Sequence, residues 1–149
     1  MTGQIGIAGL AGAAVLLAPA AFAQPAPVNE IAQELVESWL AALNGMDFAT
    51  FSGLYTEDAQ LYFEGLPRIV GRTAIVAAWT ADMNESSPVT RAAITNVLSS
   101  LDTQLVEGTY EVVSRDSGMA LSGGSFVQIW IFTEAGWRLD REGWKAEGL

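Results

Sequence analysis

The chain has 149 residues, a length that suits one domain able to bury a hydrophobic core. Its formal net charge is −10, and its seven Lys and Arg residues are too few to form a basic surface for nucleic acid or anionic lipid. Cys and His are both absent, which excludes disulfides, thiolate nucleophiles, Ser-His-Asp triads and ordinary zinc sites, so we expect neither a metal nor a cofactor.

The N-terminal segment is apolar and carries no charged side chain. An uncharged run over residues 5–17 is followed at 21–23 by Ala-Phe-Ala, a cleavage site of the type that ends a signal peptide. Residues 1–4 lack the usual Lys or Arg, and an uncleaved membrane anchor is the alternative interpretation. We predict a signal peptide over 1–23, a linker over 24–28 and a domain over 29–149, in a periplasmic or secreted protein without a membrane segment after cleavage.

Three helices are predicted in the first part of the domain. Apolar residues recur at helical spacing after Asn29, which has the side chain of an N-cap, and this pattern ends at Asn44. Asp47 can cap a short second helix, which makes a hairpin with the first. A third helix fits between Gly71 and Pro88, because proline cannot continue a helix.

Strands dominate the rest of the chain. A short strand is predicted over 59–64, before the third helix. Four longer strands are predicted over 91–100, 104–114, 122–133 and 137–146. Consecutive strands with short turns form an antiparallel meander, and helices followed by strands indicate the α+β class, with the helices on one face of the sheet.

Four stretches of the domain occur in an order typical of one known fold. They are residues 39–47, 54–59, 70–75 and 137–144. In this order they resemble the nuclear-transport-factor-2-like superfamily, and in particular its small SnoaL-like proteins. The resemblance implies a cone-shaped, cystatin-like fold, in which a curved antiparallel sheet packs against three N-terminal helices and encloses an apolar pocket. Function in such a fold depends on a few polar groups inside the cone.

Ketosteroid isomerases are similar to this chain through the helix hairpin. They place a Tyr on the first helix, a base Asp on the first strand and a protonated Asp on a later strand. The corresponding positions here are Trp39, Phe63 and Gln128, so all three acidic or phenolic groups are replaced. Trp39 and Gln128 can still donate a hydrogen bond, whereas Phe63 cannot accept a proton.

Two other carboxyl groups are weak candidates for a general base. Glu64 follows Tyr62 by two residues on one strand face, and strand alternation directs that face toward solvent. Asp140 shares the predicted face of its strand with Arg138, which is also the pattern of a solvated ion pair. A carboxyl group that lined an apolar pocket would have a raised pKa and could act as a base.

Aromatic side chains are the richest feature of the domain. They are predicted either to ring the pocket or to form an ordinary core. Gln128 is the lone polar residue among aromatics on the longest strand, and a buried amide needs a partner that a ligand could provide. The predicted pocket residues are Trp39, Tyr55, Phe63, Trp79, Gln128 and Trp130.

The longest strand is apolar on both faces. Phe126 and Trp130 alternate with Val127, Ile129 and Ile131. One face would therefore meet the helices and the other a partner sheet, so we expect a homodimer through the sheet.

These features predict an exported protein that binds a small apolar or amphipathic molecule in its cone. The first alternative is an isomerase, cyclase or dehydratase acting on a hydrophobic substrate. Its general base would be Glu64 or Asp140, with Tyr62 or Gln128 polarising a carbonyl. The second alternative is a dimerisation or partner-binding module whose cone is filled by its own side chains.

Overall fold

Three helices occupy the positions that the sequence predicts. The structure, a computed structural model, describes residues 29–148, so the predicted signal peptide and linker lie outside the described residues. The helices are α1 (Glu30–Asn44), α2 (Phe48–Gly53) and α3 (Arg72–Ser86). Both predicted caps are confirmed: the Asn29 side chain accepts from the Ala32 amide, and Asp47 accepts from the Thr50 amide. None of the helices in this described part is long and apolar enough to cross a membrane.

Six strands form one sheet. They are β1 (Tyr55–Phe63), β2 (Ile69–Val70), β3 (Val89–Ser99), β4 (Thr103–Val113), β5 (Ala120–Thr133) and β6 (Gly136–Ala146), in the spatial order β2-β1-β6-β5-β4-β3. The α+β class and the antiparallel meander from β3 to β6 are confirmed.

The sheet differs from the prediction at its β1 edge. It is mixed rather than wholly antiparallel, because the meander returns β6 to the side of β1 and the two strands run in the same direction. β1 also begins earlier than predicted, at Tyr55, and the two-residue β2 is too short to leave a pattern in the sequence.

The core lies between the helices and one face of the sheet. α1 packs against β3, and α3 packs against β1. The buried core is rich in aromatic rings, and its largest members are Trp39, Trp79, Trp130, Trp144, Phe51, Phe126 and Tyr55. Large rings of this kind bury much apolar area on folding.

A β-bulge in β6 sets which side chains of that strand point inward. Trp130 lies opposite Leu139, whereas Ile129 lies opposite Arg141, so Asp140 is the extra residue. Leu139 and Glu142 are therefore both buried although they are three residues apart. The simple alternation predicted for Arg138 and Asp140 breaks at this point. Asp140 pairs with Arg141 at 2.6 Å instead.

Candidate functional site

A carboxyl group lies in the middle of the aromatic core. Glu142 is only 2 % exposed, and it is the one buried carboxylic acid among residues 29–148. Its Oε1 accepts hydrogen bonds from the Tyr55 hydroxyl at 2.6 Å and from the Trp79 indole at 3.2 Å. Its Oε2 accepts from the Trp144 indole at 3.2 Å. The carboxyl group thus accepts hydrogen bonds from three side chains whose aromatic rings are otherwise apolar.

Four elements bring this network together. Tyr55 begins β1, Trp79 lies in the buried stripe of α3, and Trp144 lies two residues after Glu142 on the same face of β6. The Trp39 indole on α1 donates to the Tyr55 hydroxyl at 2.9 Å. The Tyr55 hydroxyl therefore accepts a hydrogen bond from Trp39 and donates one to Glu142, which fixes the direction of the chain of hydrogen bonds.

Burial controls the protonation of this site. It raises the pKa of Glu142 from 4.5 to about 7, although the hydrogen bonds from Tyr55, Trp79 and Trp144 act in the opposite direction. Burial, and then the charge of Glu142, raise the pKa of Tyr55 well above its usual value. No Lys or Arg of the described chain forms a salt bridge with Glu142. Near neutral pH the carboxyl group can therefore either hold or release a proton.

Gln128 is the cross-strand neighbour of Glu142. The two residues lie opposite each other on β5 and β6, and Gln128 is 1 % exposed. Its Oε1 accepts from the Trp130 indole at 3.1 Å. Its Nε2 has no hydrogen bond of regular geometry within residues 29–148, although the amide lies near enough to Glu142 to favour the ionised carboxylate. The amide thus orients toward the carboxyl group without being fully satisfied.

A cavity of about 420 Å³ opens on the other side of the indole rings of Trp79 and Trp144. The cavity lies between α3 and the inner face of the sheet. Its walls are mostly aromatic and aliphatic, with three polar side chains among them. The lining residues are Phe63, Leu66, Ile69, Ala78, Trp79, Asp82, Thr90, Tyr110, Val112, Ser122 and Trp144. Trp79 and Trp144 connect the cavity with the carboxyl group, because both line the cavity and both donate a hydrogen bond to Glu142.

The sequence of this domain matches a known family. The family described as SnoaL-like domain matches residues 28–149. The chain belongs to the SnoaL-like family. No curated protein matches this chain in sequence.

Solved structures share this fold. An NTF2-like protein with a cystatin-like fold from Novosphingobium aromaticivorans is 21% identical, covers 78% of this chain and 80% of its own, and has a TM-score of 0.68. A ketosteroid isomerase-like protein from Erwinia carotovora atroseptica is 19% identical, with a TM-score of 0.65. The match covers 82% of this chain and 99% of that protein. An NTF2-like protein of unknown function from Pseudomonas putida is 16% identical, with a TM-score of 0.67. The match covers 79% of this chain and 85% of that protein. These likenesses establish the cystatin-like fold of the SnoaL-like domain.

The predicted pocket residues of the SnoaL-like domain fall into two groups. Phe63 and Trp79 line the cavity. Trp39, Tyr55 and Gln128 lie behind it, in or beside the hydrogen-bond network of the carboxyl group. The sixth residue, Trp130, is fully buried and binds Gln128.

The two candidate bases lie elsewhere in the SnoaL-like domain. Glu64 is exposed and borders an open depression on the sheet. Asp140 is half-buried at the bulge, where the Thr56 hydroxyl donates to it at 2.8 Å and Arg141 at 2.6 Å. Neither carboxyl group is among the residues that line the cavity within the described range.

The sequence reasoning missed Glu142, although a signal for it exists. In the last strand, Trp137 and Leu139 have odd residue numbers, whereas Trp144 has an even one. Apolar residues that change parity along a strand indicate a bulge between them. A bulge there puts Glu142 on the same face as Trp144. The carboxyl group that position 128 lacks is thus present on the neighbouring strand.

Proposed function

We propose that the SnoaL-like domain binds a small, predominantly apolar molecule in the cavity beside Trp79 and Trp144. The observation that carries this proposal is the cavity itself. Its volume of about 420 Å³ lies in the range of small-molecule sites, roughly 300–1,000 Å³. Aromatic walls with a few polar groups are the usual composition of such sites.

The polar side chains of the cavity are suited to orienting a ligand. Thr90 and Ser122 offer hydroxyl groups, and Asp82 offers a carboxylate at the mouth. Phe63 and Tyr110 extend the apolar surface on either side of the two indole rings. A bound molecule would bury its apolar part against the rings and keep its polar part at the mouth.

Filling the cavity tests this proposal. Ala78 lines it, whereas the adjacent Ala77 is exposed and does not. We expect the neutral fluorescent probe N-phenyl-1-naphthylamine to gain fluorescence with the wild type and with Ala77→Phe, and to lose about tenfold in affinity with Ala78→Phe because the new ring occupies its place. Equal affinity for the two variants would place binding outside the cavity and overturn the proposal.

Proton transfer is a second candidate function, and Glu142 is the observation that favours it. A carboxyl group with a pKa of about 7 is poised to act as acid or base at neutral pH. Its Tyr55 and Gln128 neighbours are donors of the kind that stabilise developing negative charge. A similar structure carries the name ketosteroid isomerase-like protein, and we propose the same reaction class, isomerisation of an apolar carbonyl compound, for this chain.

The simplest assay for this second candidate uses 3-cyclohexenone, whose conversion to the conjugated ketone needs one proton to move. Catalysis that disappears in Glu142→Gln and persists in Glu34→Gln, an exposed acid on α1, would support it. Equal rates for wild type and Glu142→Gln would remove Glu142 from this role. Glu142 is buried and does not line the cavity, so a substrate bound there reaches the carboxyl group only after core side chains move.

We also propose that the domain acts outside the cytoplasm, periplasmic or secreted. The support is the apolar run and the Ala-Phe-Ala site at 21–23 in the sequence. Protein isolated from its own organism should begin at Gln24. An N-terminus at Met1 in the mature protein would contradict export by cleavage.

A further inference from the structure

We propose that the cavity selects an organic cation, an ammonium group carried on an apolar body. This inference rests on the proposed binding function and names its ligand class. It is drawn from the combination of an aromatic enclosure with a negatively charged mouth.

The aromatic enclosure is built from rings that meet at steep angles. Phe63 and Trp79 are 5.5 Å apart between centroids at 64°, Trp79 and Trp144 are 5.6 Å apart at 77°, and Tyr110 and Trp144 are 4.9 Å apart at 79°. Because neighbouring rings meet at steep angles, the four rings present aromatic surface to a molecule in the cavity from more than one direction. Electron-rich rings attract cations, and such cages are the recurring solution for binding ammonium groups.

The mouth of the cavity is negatively charged. Among the residues of the described part of the chain that line the cavity, Asp82 is the one with a charged side chain. Its pKa is raised by burial and then by the nearby carboxylate of Glu85. Burial and then the charge of Glu147 raise the pKa of Tyr110, another lining residue. Asp82 thus places a carboxylate at the cavity, and Glu85 and Glu147 add negative charge near two of its lining residues, which a cation would offset.

No Lys or Arg of residues 29–148 lines the cavity, and Arg68, between the lining residues Leu66 and Ile69 in the sequence, donates to Gln60. Arg115 reaches the end of α3, but its guanidinium donates to the carbonyl oxygens of Ser87 and Asn44. The domain as a whole carries the formal charge of −10, which raises the local concentration of cations and repels anions. An anionic ligand is therefore disfavoured twice, by the rings and by the mouth.

A matched pair of probes separates charge from shape. The cation (3-hydroxyphenyl)trimethylammonium and the uncharged 3-tert-butylphenol have the same outline. A cavity that is only apolar prefers the uncharged compound, because an ammonium group must lose water on entry. We expect calorimetry to give an affinity for the cation about tenfold higher than for the phenol.

Two variants assign this preference to the site. Asp82→Asn should weaken binding of the cation about threefold and leave binding of the phenol unchanged. Glu34→Gln removes the same charge from the exposed side of α1 and should change neither affinity. Tyr110→Leu keeps an apolar wall but removes a ring, so it should also weaken the cation selectively.

The outcomes separate this inference from the proposed function. A preference for the cation that falls in Asp82→Asn or Tyr110→Leu supports it. Equal affinities, a preference for the phenol, or a cation preference that both variants retain would overturn it and leave the binding function standing. If neither probe binds at millimolar concentration while N-phenyl-1-naphthylamine does, this inference alone fails, and if none of the three binds, the binding function fails with it.

Discussion

At position 142 a carboxyl group is buried among indole rings and a phenol, without a cationic partner in the described part of the chain. Such a group is a cost to folding whenever it is ionised, because desolvation penalises the charged form. The hydrogen bonds from Tyr55, Trp79 and Trp144 reduce this cost but do not remove it, since the pKa stays at about 7. A buried carboxyl group with a pKa raised in this way is typical of functional sites.

The pH dependence of stability tests the burial of Glu142. The unfolded chain releases this proton near pH 4.5 and the folded chain near pH 7, so the contribution present below pH 4.5 is lost as the pH rises through 7. The difference between the two pKa values corresponds to a loss of about 3 kcal/mol in the free energy of unfolding. We expect the free energy of unfolding of the wild type, relative to Glu142→Gln, to fall by that amount between pH 4.5 and 8 in urea titrations.

Glu34→Gln provides the control for this measurement. Its carboxyl group is exposed, so the wild type and this variant should show parallel stability across the same pH range. Parallel curves for the wild type and Glu142→Gln would contradict a buried carboxyl group with a raised pKa.

Local signals made the helices predictable, whereas the site depends on contacts between distant parts of the chain. Asn29 and Asp47 each accept a hydrogen bond from the amide three residues later, so the sequence alone predicts these helix caps. The parallel pairing of β1 with β6 and the bulge at Asp140 have no such local origin. The burial of Glu142 follows from both. This is why the sequence predicts the aromatic interior but not the carboxyl group at its centre.

The Asn44 side chain connects the end of α1 to the sheet. Asn44 donates from Nδ2 to the Thr90 carbonyl and accepts at Oδ1 from the Thr90 amide, both at 2.8 Å. Thr90 is buried on β3 and lines the cavity, so this pair of bonds also fixes one wall of the mouth. The sequence predicted Asn44 only as the end of the helix.

Asn44→Ala tests the importance of this connection between elements. Loss of two partly buried hydrogen bonds should lower the free energy of unfolding by about 2 kcal/mol, despite the higher helix propensity of Ala. Asn84→Ala, at an exposed position of α3, should leave chemical denaturation unchanged or slightly improved. A similar stability for the two variants would show that the Thr90 connection contributes little.

On the scale of the whole molecule, the outer face of the sheet carries an apolar row. Leu98, Leu105 and Ile129 lie opposite one another on β3, β4 and β5. Leu98 is 62% exposed. A row of this kind across three strands supports the proposal of a homodimer formed through the sheet.

Charge placed in the row should separate such a dimer. In an isologous contact Ile129→Glu would bring two buried carboxylates together, so light scattering should change from the mass of two chains to that of one. Ala41→Glu adds the same charge on the exposed side of α1 and should leave the mass at two chains. A single-chain mass for the wild type would end the proposal.

The central claim is that the cavity beside the indole rings holds a small molecule. Native mass spectrometry of the protein isolated from its own organism tests it most directly, with Ala78→Phe expressed there as the comparison. We predict additional mass on the wild type, released on unfolding, and its loss from Ala78→Phe because that ring fills the cavity. A wild type that carries no additional mass and takes up no apolar probe would contradict the claim.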